Sequence, residues 1–80
     1  MFEEIENNDY FINDEAGIAF ASTEYGYMGY DPTWGEFSAS IPKETWEKLF
    51  TADGERKEGS RRVDYNVALD FAIAKAKAAN

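Results

Sequence analysis

Asp9-Tyr-Phe-Ile-Asn13, Asp14-Glu-Ala-Gly17 and Ile18-Ala-Phe-Ala-Ser22 follow one another without interruption. The first segment is aromatic and β-branched, as strands prefer. The middle segment has turn chemistry and ends on a glycine able to adopt a left-handed conformation. In the third, Ile18 and Phe20 alternate with Ala19 and Ala21, the period of a strand with two different faces. The three together predict an antiparallel hairpin. The second strand is expected to run on through Tyr25 and Tyr27, with Gly26 and Gly29 allowing a bend or bulge.

Asp31-Pro-Thr-Trp-Gly35 places proline at the second turn position and glycine at the end. Glu36 to Ile41 then alternates again, with Phe37, Ala39 and Ile41 on one face and Glu36, Ser38 and Ser40 on the other. This is the expected third strand. Pro42 suits a first helical turn, and Lys43 to Phe50 reads as a short helix with Trp46, Leu49 and Phe50 on one face. Thr51 to Gly59 is a polar connector, and Ser60 is placed to cap a final helix reaching about Ala79. That helix has two apolar arcs, Val63/Val67/Phe71/Ala74/Ala78 and Tyr65/Leu69/Ile73/Ala76, so it is expected to touch two things. The predicted class is α+β in a single domain over residues 1–80. Its acidic β half (1–42) forms a small antiparallel three-stranded sheet, and its helical half (43–80) packs two helices on one face, in the order βββαα. The other face is expected to stay open.

Charge divides the chain the same way. Residues 1–42 hold nine carboxylates and no lysine or arginine, whereas residues 43–80 hold seven acids and eight bases. The formal charge of −8 therefore belongs to the first half, which also carries nine of the thirteen aromatic residues. Such a field repels nucleic-acid phosphates and anionic lipid and attracts a basic protein surface. The Arg56–Arg62 segment contains Arg56, Lys57, Arg61 and Arg62, half of the basic residues. It reads as a solvated connector or as an internal partner for the acidic half.

Several classes find no residues to build on. Without histidine or cysteine there is no Cys/His metal site, and neither a phosphate-cradling glycine loop nor a calcium loop is present. No catalysis, cofactor or metal is expected. Val67 to Ala79 is interrupted by Asp70, Lys75 and Lys77 and is unsuited to crossing a bilayer. The N-terminal residues are acidic rather than signal-like, so a cytoplasmic protein is expected.

The candidate partner-binding residues are Glu24, Tyr25, Tyr27, Tyr30, Asp31, Trp34 and Glu36. Tyrosine and tryptophan bury much area for few rotatable bonds and keep a polar tip, and flanking carboxylates suit an arginine that stacks and pairs at once. Within this cluster Trp34 and Phe37 are expected to be packed and Tyr27 and Tyr30 more exposed. In size, charge and aromatic content the chain resembles small phage-encoded inhibitors, including anti-CRISPR proteins and other DNA mimics. It also resembles immunity proteins that plug the basic active site of a nuclease toxin. The resemblance is one of composition and implies a stoichiometric inhibitor docking on a basic nucleic-acid-binding surface. The alternative is a homo-oligomeric structural or adaptor protein, a homodimer through the Leu69/Ile73 face of the last helix.

Overall fold

The computed structural model of the chain describes residues 8–78. Glu3, Glu4, Glu6 and the expected helix end at Ala79 lie outside them. The elements are β1 (Asp9–Asn13), β2 (Ile18–Thr23), β3 (Gly26–Asp31), β4 (Glu36–Ser40), α1 (Lys43–Leu49), β5 (Ser60–Val63) and α2 (Tyr65–Ala78). The class is α+β, but the sheet has five antiparallel strands in the order β4-β3-β2-β1-β5, not three.

Two local reasons account for the extra strands. The expected continuation of strand two through Tyr27 instead turns back at Glu24-Tyr25. There the Thr23 hydroxyl accepts the Tyr25 N–H at 3.1 Å and donates to the Gly26 carbonyl at 2.9 Å. Gly26 supplies the φ of 104° that closes the turn. At the other end, Ser60 is not a helix cap. Its hydroxyl accepts from the buried Asn13 amide at 3.3 Å, and Ser60–Val63 pairs with β1 as an edge strand. Helix α2 starts only at Tyr65, with the Asp64 carbonyl taking the Ala68 N–H.

The helices cover opposite faces, so neither face is left open as a whole. The two expected to share a face are separated by the alternation of the central strand β2. Ala19 and Ala21 lie on one side with Tyr10, Ile12, Phe37 and the buried Ala68 and Ala72 of α2. Phe20 lies on the other with Phe11, Leu49 and Phe50, and Trp46 of α1 packs beside them. Here the rings interlock: Phe11 stacks on Phe20 at 5.4 Å, Phe50 meets Phe20 edge-on at 5.4 Å, and Trp46 and Tyr27 lie 4.1 and 4.6 Å from Phe50.

The two expected arcs of α2 prove to be flanks of one broad stripe. Ala68 and Ala72 form its buried centre, with Tyr65, Leu69 and Phe71 packed beside them. Leu69 thus has an intramolecular partner, while Ile73 is half-buried and Val67 exposed.

Strand β4 departs from simple alternation. Two steps along β3, from Gly29 to Asp31, are matched by three along β4, from Ala39 to Glu36. The extra residue is a β-bulge, which re-aims the side chains beyond it. Phe37 therefore joins the α2 side and Ile41 the α1 side, although they were expected on one face. The β2–β3 ladder also stops early. Its last pair is Phe20↔Gly29, yet β2 begins two residues before that point and β3 ends two residues after it.

Close packing of alanines leaves α2 no room to accept bulk at Ala68, which is fully buried against the sheet. Ala68→Leu is expected to lower stability by ~1–3 kcal/mol through overpacking. An unchanged urea midpoint would show that α2 does not lie as close to the sheet as described.

Candidate functional site

The seven candidate residues do not form one patch. Glu24 and Tyr25 form the β2–β3 turn, whereas Asp31, Trp34 and Glu36 belong to the β3–β4 turn. These turns lie at opposite ends of β3, and a strand of that length separates them by roughly 20 Å. Tyr27 and Tyr30, in the middle of β3, point to opposite faces and take part in the two aromatic clusters.

The expected exposure is reversed at Trp34, Tyr27 and Tyr30. Tyr27 packs on Phe50 and edge-on to Phe20 and Trp46, and its hydroxyl accepts an Arg56 N–H at 3.1 Å. Tyr30 meets Phe37 edge-on at 5.6 Å. Trp34 is 74% exposed and Tyr25 79% exposed, whereas Phe37 is buried as expected. The cause is strand membership. Side chains within β3 face one helix or the other, and those in the two turns have nothing to pack against.

Trp34 sits on a well-fixed turn. The Asp31 carbonyl accepts the Trp34 and Gly35 N–H groups at 3.3 and 2.8 Å, and the Asp31 Oδ1 accepts the Thr33 N–H at 2.9 Å. Pro32 locks one dihedral, and Gly35 closes the turn at a φ of 67°. One aspartate thus organises the loop through main chain and side chain together. The result is a large aromatic ring held outward, with Asp31 and Glu36 at the two stems of the turn.

The acidic half is partly neutralised from within. Of its nine acids, Glu3, Glu4 and Glu6 lie outside the described residues, and two of the remaining six pair with β5. Arg61 forks onto Asp14 at 2.7 and 3.2 Å, and Arg62 reaches Asp9 at 2.7 Å. Arg56 lies 4.1 Å over the Phe11 ring. The Arg56–Arg62 segment therefore turns inward onto its own chain. Neither ion pair among the described residues involves Glu15, Glu24, Asp31 or Glu36. Of these four, Glu24 stands beside the exposed Tyr25 at one end of β3, and Asp31 and Glu36 flank the exposed Trp34 at the other.

Among the described residues no cluster of three or more acidic side chains is arranged to hold a metal ion. No described helix is long and apolar enough to cross a membrane. Compared with known proteins, the chain matches no family model, no curated protein and no solved structure.

The hydrogen bond from Arg61 holds the Asp14 carboxyl below its ordinary pKa, and the charge of Arg61 adds to the effect. A depressed carboxylate pKa contributes stability that is full above the ordinary carboxylate range and is lost as pH falls through the folded-state value. Carbon-detected NMR titration should place Asp14 below an ordinary aspartate, and Arg61→Gln should move it back up. An Asp14 titration indifferent to Arg61→Gln would mean that the pair does not persist in solution.

Proposed function

We propose that this chain is a small non-enzymatic binding protein, a stoichiometric inhibitor that docks on a basic, nucleic-acid-binding surface of another protein. The observation that carries this reading is the outward-held Trp34, flanked by Asp31 and Glu36. Tryptophan is the residue most enriched among interface hot spots, and a fixed turn removes much of the ordering cost of binding. Flanking carboxylates favour an arginine or lysine opposite the ring, where cation–π attraction and ion pairing act together.

The charge distribution supports the same reading. Duplex DNA carries one charge per ~1.7 Å, so a surface built to hold it is dense in lysine and arginine. A protein of net charge −8 is steered toward such a surface and away from nucleic acid itself. The internal pairs at Asp9 and Asp14 narrow the docking face to the β3–β4 side. There Glu24 and Tyr25 form a second anchor beyond the Trp34 turn, and Tyr27 and Tyr30 support the strand that holds both ends apart. In this reading the chain belongs functionally with DNA-mimic anti-defence inhibitors of the anti-CRISPR type.

The test is capture on immobilised protein at low and high salt, with duplex DNA as competitor. A basic nucleic-acid-binding protein should be retained at low salt and released both by salt and by the duplex. Trp34→Ala should weaken retention by ~10-fold or more, as truncation of a hot spot does. Asp31→Lys combined with Glu36→Lys should slow association far more than it speeds dissociation. Retention unaffected by salt, by the duplex and by Trp34→Ala would reject the proposal.

A further inference from the structure

Where the β2–β3 ladder ends at Phe20↔Gly29, the two strands part, and an open concavity of about 380 Å³ lies at this end of the sheet. Its lining is largely apolar and small, with Ala19, Gly29, Ala39 and Ala72 leaving the space and Ile41 and Tyr30 bounding it. The size falls at the lower end of the range of small-molecule sites.

Gly29 gives the strongest indication that this space is kept open. Its φ is not in the left-handed region, so the backbone does not require glycine there. A Cβ added to it would meet the Ala39 carbonyl oxygen and the Ile41 Cγ1 at 3.7 Å, which is ordinary contact. Neither conformation nor crowding selects glycine, and glycine inside a strand is entropically unfavourable. What a larger residue would change is the volume of the concavity.

One cation stands among the lining side chains. Lys75, in the last turns of α2, lies against the Gly17 turn, its Nζ 3.3 Å from where a Cβ on Gly17 would be. Neither ion pair among the described residues involves it. Its ammonium also lies over the Phe71 ring, 5.5 Å from the centre, a cation–π contact that holds it beside the apolar surface.

We propose that this concavity binds a small amphipathic carboxylate. The alkyl portion occupies the space between the parted strands, and the carboxylate meets the Lys75 ammonium. The lining argues for an apolar body and the single ammonium for an anionic head. The site adjoins the Trp34 turn through Pro32 but does not include Trp34, and it does not depend on the inhibitor reading.

The test is a titration of the whole chain with sodium octanoate, followed by backbone amide NMR. Saturable shifts are expected at Ala19, Gly29, Ala39 and Lys75, with Tyr25, at the other end of β3, unmoved. Affinity should rise about fourfold per methylene from hexanoate to decanoate, the value of one buried CH₂. Lys75→Met should weaken octanoate by up to about fivefold, as loss of an exposed ion pair does, and leave octan-1-ol unaffected. Gly29→Val should abolish binding while the remaining amide spectrum stays folded, and Ala39→Val gives the same readout should Gly29→Val disturb the strand. Non-saturable shifts spread over the surface of the unaltered protein would overturn the proposal. So would octanoate binding that is indifferent to both filling substitutions.

Discussion

The meeting of two alanine pairs, Ala19 and Ala21 on β2 with Ala68 and Ala72 on α2, is the constraint on which the rest of the structure depends. Methyl groups on both partners let the helix axis come close to the sheet. The larger side chains on that face, Tyr10, Phe37, Tyr65 and Leu69, are displaced to its flanks, where Tyr10 meets Phe37 and Tyr65 at 5.5 and 5.1 Å. Because β2 is the middle strand and alternates, Phe20 must then face the other way. That face needs its own cover, which α1 and the chain after it supply with Trp46, Leu49 and Phe50. A chain of 80 residues buries both faces of a five-stranded sheet in this way, using alanines where space is short and rings where it is not.

The same arrangement governs the charge. Burying both faces leaves ionised groups only the turns, the edges and the outer sides of the helices. Strand β5 joins the sheet beside β1 and carries Arg61 and Arg62 to the acids at the two ends of that strand. These two charged side chains also guard an edge that would otherwise be open to pairing with another chain. The opposite edge, β4, has no such pairs among the described residues and is marked instead by its bulge. An asymmetry along the sequence, acids first and bases later, thereby becomes an asymmetry across the sheet.

The local signals were legible where chemistry is short-range. The first hairpin, the β3–β4 turn and the Trp46 helix follow from alternation, Pro32, Gly35 and Pro42, and all are present. What could not be read was set by long-range pairing. Ser60 to Val63 has the polarity of a connector, and only β1, about fifty residues earlier, makes it a strand. On the α2 wheel Ala68 and Ala72 fall between the two apolar arcs, on the side that also carries Asp64 and Lys75, and only the alanines of β2 make that position the central contact. In the aromatic cluster, the signal for exposure was not the ring but its place. Tyr27 and Tyr30 sit inside a strand, whereas Trp34 stands between a proline and a glycine, where no neighbour can cover it.

The β3–β4 turn is organised by Asp31. Its carbonyl is occupied by the Trp34 and Gly35 N–H groups and its carboxylate by Thr33, which ties the end of β3 to its own turn. Asp31 also pairs with Glu36, so the last residues of β3 follow β4 through the bulge rather than β2. The ladder from β3 to β2 has already ended at Phe20↔Gly29, two residues before Asp31, whereas Gly29 still pairs with Ala39 of β4. Gly29 therefore sits where β3 keeps one neighbour and loses the other, and Trp34 sits in the turn beyond, with Pro32 of that turn bordering the concavity. A change at Trp34 acts on the outward ring and one at Gly29 on the concavity, because one residue lies within the strand and the other in the turn beyond it.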